Sequence, residues 1–158
     1  MGHHLNRLDA KGRVSIPAPF RAALRAPGAG PASGPVAVVL RPSHVHACLE
    51  GWPPDEFDKL AAPLQSMPLF SGEHDDLSLT IFGDAQTVES DREGRIVVPE
   101  SLARHAALGE SVAFMGMGRY FQIWEPEAAA ARRQAARERA RTGNLTLPAQ
   151  RLPGTPTV

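Results

Sequence analysis

Hydrophobic and polar positions alternate over two short stretches of this chain that nearly repeat each other. Arg13-Val14-Ser15-Ile16 and Arg95-Ile96-Val97-Val98 each carry an apolar residue at every second position. That is the period of a half-buried strand, with Val14, Ile16, Ile96 and Val98 facing inward. Each stretch follows an Asp-x-x-Gly turn and stops at a proline, and Asp91 follows Asp9, and Pro99 follows Pro17, at the same offset of 82 residues. A repeat at fixed offset is settled before any other reading. It makes the chain two copies of one small unit, each placing an arginine beside a tight turn.

The pattern predicts the rest of each copy. In the first, residues 5–8 are strand-compatible, and Asp9 and Gly12 occupy the first and fourth positions of a turn. Pro17, which has no ladder donor, ends the strand. Pro19 suits a first helical turn, and Phe20 and Leu24 share a helix face. A Pro/Gly/Ala/Ser loop is expected over residues 27–35 and a buried strand over 36–40. Pro42-Ser43-His44 turns the chain, residues 45–49 return, and Trp52 packs over the end. The second copy repeats the order: a lead-in at 87–89, a turn at 91–94, a helix at 100–107 with Leu102 matching Phe20, and Gly109 as its cap. A strand at 112–115, a Gly116-Met117-Gly118 turn and a return strand at 120–124 complete it.

Between the copies, Pro53-Pro54-Asp55-Glu56-Phe57 is a helix-start signature, and a helix is expected to Leu60 or Ala62. Residues 75–82 stay open: Leu77, Leu79 and Ile81 alternate like a strand, while Leu77 and Ile81 also share a helical face. After Trp124, Pro126 opens a run of Ala and Arg, both strong helix formers. Arg133, Arg137 and Arg141 line one face of that helix, and from Thr142 on the Gly/Pro/Thr-rich sequence reads as a disordered tail.

The strand that starts at Arg13 has no hairpin partner directly after it, and an open edge is a liability. Two copies cure this by interleaving their hairpins into one closed barrel about an internal pseudo-twofold. The alternative is two independent β units on a string. In either case the fold class is mainly β with short α-helices, an α+β protein.

Composition narrows the class. The chain has 158 residues, 42% hydrophobic and 22% charged, with 15 Pro and 14 Gly. Units of about 50–80 residues bury modest cores and are more credible fused or oligomerised. A single cysteine, Cys48, excludes an intramolecular disulfide and reads as a buried, inert thiol. No apolar run approaches the roughly 20 residues of a membrane helix, and the N-terminus is too short and polar for a signal peptide, so a cytoplasmic location is expected. The net charge is zero but unevenly placed. Residues 1–26 carry Arg7, Lys11, Arg13, Arg21 and Arg25 against Asp9, and residues 50–91 hold ten carboxylates against Lys59. Such segregation gives a neutral protein a basic face.

The turn residues carry the candidate chemistry. Asp9 and Asp91 accept hydrogen bonds from turn amides, and Gly12 and Gly94 supply a conformation that other residues resist. Arg13 and Arg95 lie on the polar side of the alternation and are expected to be exposed. Their guanidinium forks suit phosphates and the acceptor edge of guanine, or else pair only with the neighbouring Asp. Where the first copy has Lys11 and Arg21, the second has Glu93 and Ala103, so the first is expected to carry more of any anion binding. No nucleophile elbow, P-loop, His-Glu-x-x-His or Cys-x-x-Cys occurs, and His44 and His46 read as a surface pair on a strand. No catalytic residue, metal site, cofactor or small-molecule substrate is assigned.

With Leu8-Asp9-Ala10-Lys11-Gly12-Arg13-Val14-Ser15-Ile16-Pro17-Ala18-Pro19-Phe20-Arg21 in view, together with Gly116-Met117-Gly118 and Phe121-Gln122-Ile123-Trp124, the chain resembles the MraZ family of bacterial transcriptional regulators in the AbrB-like DNA-binding superfamily. The likeness runs from about residue 5 to 126. It implies a tandem swapped-hairpin barrel, with a first AbrB-like repeat at 5–52, a helical connector at 53–86, a second repeat at 87–126, an Arg-rich helix at 127–141 and a tail at 142–158. It also implies a helical 75–82 segment and a ring-like homo-oligomer. By the same resemblance the partner is double-stranded DNA at short G-rich direct repeats upstream of the cell-division and cell-wall gene cluster, which makes the protein cytoplasmic and nucleoid-associated. DNA would be met by Arg13 and Arg95, with Lys11 and Arg7 beside the first, and positioned by Asp9, Gly12, Asp91 and Gly94. An AbrB-like antitoxin that represses its own operon and a non-enzymatic ring scaffold are the rival readings.

Overall fold

The strands marked by alternation find their partners across the two copies. In the computed structural model, which describes residues 1–25 and 34–149, β2 (Arg13–Ser15) pairs antiparallel with β6 (Arg95–Val97), Val14 opposite Ile96. β1 (His3–Arg7) pairs with β7 (Ser111–Gly116) of the second copy, and β5 (Gln86–Glu89) pairs with β3 (Ala37–Pro42) of the first. The hairpins β3–β4 (Leu49–Trp52) and β7–β8 (Phe121–Trp124) meet through β4 and β8. The six-stranded order β1-β7-β8-β4-β3-β5 reads the same when the copies are exchanged, which is the signature of the pseudo-twofold. The interleaving expected from the sequence is therefore present. The ladders, however, form an open six-stranded sheet and a separate two-stranded ribbon, not one closed ring.

The ribbon closes the core. Val14, Ile16, Ile96 and Val98 pack with Val38, Leu40, Leu49, Val112, Phe114, Phe121 and Ile123 from the sheet. Helix α1 (Ala18–Leu24) sets Phe20 against Phe114 and Phe121 of the second copy, with centroids 6.0 and 5.2 Å away. Helix α5 (Glu100–His105) sets Leu102 into the same core. Neither copy thus owns its core.

The connector covers the other face of β3 and β4. It comprises α2 (Pro54–Asp58), α3 (Ala61–Leu64), α4 (Gly72–Ser78) and a π-helical turn, Leu79–Gly83. The ambiguous 75–82 segment is thus helical. Phe57, Leu60, Ile81 and Phe82 pack on Val39 and Trp52, and Trp52 stacks on Tyr120 at 4.2 Å. Burial on both faces explains why β3 reads as a continuous apolar run.

Several local expectations are corrected. The single helix expected from Pro53 to Leu60 or Ala62 is two, because the chain bends at Lys59 and Leu60 between α2 and α3. The return strand starts at Leu49, and residues 44–48 form a bend, so His44 and His46 are not on a strand. The bend is held by Ser43 Oγ, which accepts from the amides of Val45 and His46. Gly109 does not cap α5. Ala107 does, at φ 50°, with the Leu108 amide donating to the Ala103 carbonyl at 2.9 Å and the Ala107 amide to Arg104 at 3.1 Å. This is the two-bond helix stop usually built on glycine. The loop expected at residues 27–35 lies mostly outside the described residues, and the tail expected at 142–158 lies outside them from residue 150 on, while Thr142 still belongs to the last helix.

From Glu127 on, the chain belongs to a second unit. Its described residues run from 127 to 149 and hold nearly all of α6 (Pro126–Thr142), which follows the Arg-rich segment as expected.

The left-handed Ala107 yields a direct test. A left-handed L-residue is disfavoured by about 1–2 kcal/mol, which glycine relieves while losing more chain entropy on folding. Ala107→Gly is expected to raise stability by about 0.5–1 kcal/mol, read as an upward shift of the urea midpoint at unchanged slope.

Candidate functional site

Each Asp-x-x-Gly-Arg turn closes on its own aspartate. Asp9 Oδ1 accepts the amides of Lys11 and Arg13, both at 2.9 Å, and Asp9 Oδ2 accepts Arg13 Nε at 2.9 Å. In the second copy, Asp91 Oδ1 accepts the amides of Glu93 and Arg95, both at 2.9 Å, and Oδ2 accepts Arg95 Nε at 2.8 Å. The backbone agrees: the Gly12 amide donates to the Asp9 carbonyl at 3.0 Å and the Gly94 amide to Asp91 at 3.1 Å. Gly12 and Gly94 take φ of 78° and 83°, which lets the chain turn back within four residues.

The clamp determines where the arginines point. With Nε fixed, each guanidinium is held at the surface of the ribbon, and the side chains of Arg13 and Arg95 are 42% and 43% exposed. Alternation does the rest. Val14 and Ile96 are buried, so Arg13, Ser15, Arg95 and Val97 stand on the outer face of the ribbon. Arg13 lies opposite Val97 and Ser15 opposite Arg95. The two arginines are therefore diagonal neighbours, a position in which Cα atoms sit about 7–8 Å apart.

Their surroundings differ. Arg95 Nη2 also meets Glu93 Oε2 at 2.7 Å, whereas the matching position beside Arg13 is Lys11. The hydrogen bond to Asp91, with the Asp91 and Glu93 charges, holds Arg95 more firmly protonated than usual. Asp9 is held below its ordinary carboxylate value, first by the Arg13 amide, and Asp91 likewise by the Arg95 amide. Both carboxylates therefore stay ionised to lower pH than a free aspartate does.

Arg7 ends β1 and, with Lys11, lines a groove of about 730 Å³ between the first turn and α5. Arg21, counted in the sequence among the first copy's free cations, is placed otherwise. Its Nη1 donates to the Ile16 carbonyl at 2.7 Å, and its side chain lies across Gly94 of the second turn. Among the described residues, no group of three or more His, Cys, Asp or Glu could hold a metal ion, and no helix is long and apolar enough to cross a membrane. His46 instead packs beside Trp124, with centroids 5.6 Å apart.

The depressed Asp9 and Asp91 values fix a sign. A carboxylate whose folded value lies below its unfolded one contributes stability above the unfolded value and loses it as pH falls through the folded value. Stability is expected to fall below about pH 4. Asp9→Asn with Asp91→Asn is expected to lower the neutral-pH urea midpoint and to flatten the decline between pH 5 and pH 2, read from urea curves across that range.

Comparison with known proteins bears on what such a doubled turn belongs to. A family model described as "MraZ protein, putative antitoxin-like" matches residues 1–79 and 81–140. The chain is 57% identical over 150 residues to the transcriptional regulator MraZ of Gluconacetobacter diazotrophicus, covering 95% of this chain and 92% of that protein. It is 58% identical over 142 residues to the transcriptional regulator MraZ of Gluconobacter oxydans, covering 90% and 85%. To that of Rhodospirillum rubrum it is 36% identical over 135 residues, covering 84% and 83%. Matches of this extent and identity place the chain in the MraZ family.

Proposed function

We propose that this protein is a non-enzymatic, sequence-specific DNA-binding regulator of transcription that meets the duplex with the outer face of the β2–β6 ribbon. The observation that carries the reading is the placement of Arg13 and Arg95, both clamped by an aspartate and both exposed on one ribbon face. A two-stranded ribbon fits the major groove, and a guanidinium fork matches the O6 and N7 acceptors of guanine. Lys11 and Arg7, beside the first turn, suit phosphate contacts that set position. Asp9, Gly12, Asp91 and Gly94 hold the two arginines in place. The relatives' name, transcriptional regulator, supports the same reading.

A subunit with zero net charge and a few basic contacts binds DNA weakly alone. A ring-like homo-oligomer repeats the same face and supplies avidity. Adjacent subunits of such a ring match short G-rich direct repeats upstream of the cell-division and cell-wall gene cluster. Action there places the protein in the cytoplasm, at the nucleoid.

Arg13→Ala with Arg95→Ala is expected to weaken binding to the DNA upstream of this gene by at least about tenfold in a shift assay. The assembly, sized by light scattering, is expected to stay intact. Lost assembly with unchanged DNA affinity would instead favour a scaffold. Wild-type affinity is expected to fall steeply with salt, by about 0.9 log units per log unit of salt for each phosphate contact.

The copies are expected to contribute unequally. Lys11→Glu puts the acidic residue of the second turn, Glu93, at the matching position of the first and is expected to reduce affinity more than Arg92→Ala, measured on the same fragment at the same salt.

A further inference from the structure

The register of the ribbon does more than set two arginines on one face. The outward residues are Arg13 and Ser15 of β2 with Arg95 and Val97 of β6. Ser15 and Val97 are equivalent under the pseudo-symmetry, being 82 residues apart. Because pairing crosses the copies, Val97 falls opposite Arg13 and Ser15 opposite Arg95. The outer face therefore has two unlike halves. Around the first turn stand Arg13, Val97 and Lys11, and around the second stand Arg95, Ser15 and Glu93.

The halves differ in what they offer a base pair. Among the described residues, the Arg13 guanidinium is bonded through Nε alone, so Nη1 and Nη2 remain for a partner. Arg95 gives Nη2 to Glu93 at 2.7 Å, and a bidentate contact there must first displace a carboxylate. Val97 is the one aliphatic side chain of the outer face, and it is 55% exposed. Its Cγ1 lies 3.9 Å from the position of a Cβ on Gly12, at the edge of the groove that Lys11 and Arg7 also line. Apolar surface held among cations on a DNA-facing ribbon has one counterpart in the major groove, the 5-methyl group of thymine.

We propose that Val97 contacts the 5-methyl group of a thymine in the base pair next to the guanine that Arg13 reads. Arg13 and Val97 then form a reader of two adjacent base pairs, and the second half of the face tolerates more sequences. The proposal rests on the DNA reading above and adds a specificity-determining residue to it. Directly opposed residues of an antiparallel pair hold their Cα atoms about 4.5–5.5 Å apart, and stacked base pairs lie about 3.4 Å apart, so the two side chains span neighbouring pairs. A G·C pair carries no thymine methyl, which assigns the contact to the next pair. In the other half the Ser15 hydroxyl, both donor and acceptor, suits several base edges and selects none strongly.

The test starts with duplexes that the wild type selects from a randomised pool. Each thymine of the selected site is then replaced by deoxyuridine, which lacks only the 5-methyl group. One replacement, beside a guanine, is expected to weaken wild-type binding about fourfold, the worth of one methyl-sized apolar group removed from water. Val97→Ser, which copies Ser15, is expected to bind the thymine and deoxyuridine duplexes alike. A wild type indifferent to every replacement overturns the Val97 contact and leaves the arginine reading standing. Selected sites without thymine do the same, as does a penalty confined to thymines remote from guanine or one that Val97→Ser retains in full. A wild type that enriches no site from the pool overturns the DNA reading and this contact together. Should Val97→Ser fail to fold, Val97→Thr, which keeps the branch that suits a strand and replaces one methyl by a hydroxyl, decides in its place, with a smaller deoxyuridine penalty expected and an unchanged one overturning the contact.

Discussion

One carboxylate doing three things organises this molecule. Asp9, and Asp91 after it, accepts two backbone amides of its own turn with one oxygen and an arginine Nε with the other. The amide bonds set the path of the chain through a left-handed glycine and deliver the next residue at the start of a strand. The Nε bond removes freedom from a long side chain before any partner arrives. Ordering such a side chain on binding costs about 0.5–1.5 kcal/mol, so a guanidinium already held meets a ligand with less to lose. Exposed ion pairs of this kind add little to stability by themselves. Their worth here is geometric.

The clamp would aim at nothing useful if the copies folded apart. A strand of three residues, such as β2 or β6, is too short to stand alone. Each is completed by the other copy, and that pairing brings the two arginines onto one face. The same dependence runs through the core, where Phe20 of the first copy packs on Phe114 and Phe121 of the second. Ser90 ties the second turn to β3 of the first copy, through bonds of 2.8 Å from its amide to the Val36 carbonyl and 2.9 Å from the Val36 amide to its Oγ. The candidate site is thus a property of the interleaved pair of copies, and neither half contains it.

What was legible in the sequence was local. Alternation gave the inward Val14, Ile16, Ile96 and Val98, the prolines gave the strand stops, and the repeat gave two equivalent turns. The missing hairpin partner of β2 pointed to interleaving. What stayed hidden depended on contacts distant in the chain. Nothing near Ala107 announces a left-handed cap; it is held by bonds to residues 103 and 104 and by α5 packing on the core. The bend at residues 44–48 reads as strand until Ser43 is seen to accept two amides. The segment from Leu77 to Ile81 fits two periods, and its packing on Phe57 and Trp52 chooses the helix. Arg21 looked like a free cation because its acceptor, the Ile16 carbonyl, and its neighbour, Gly94, come from different copies.

The copies have diverged where each must hold something different. In both hairpins a tryptophan indole donates to the side chain two residues before it, Trp52 to Glu50 and Trp124 to Gln122, each at 2.9 Å. Opposite Glu50 stands Arg41, and opposite Gln122 stands Met115. Arg41 is buried, pairs with Glu50 at 2.7 Å and also reaches the Thr80 carbonyl of the connector at 3.1 Å. A buried ion pair is a poor source of net stability compared with apolar packing, and its defensible role is to fix one arrangement. Here it fixes the connector's π-helical turn on the first hairpin. The second hairpin carries the neutral pair Met115 and Gln122 at the matching positions. The turns follow the same logic: an unchanged aspartate clamp stands in both, while Lys11 against Glu93 and Ala103 against Arg21 alter only what surrounds it. Duplication thus preserved the geometry that aims the arginines and left the neighbouring positions free to give each copy its own charge and its own groove.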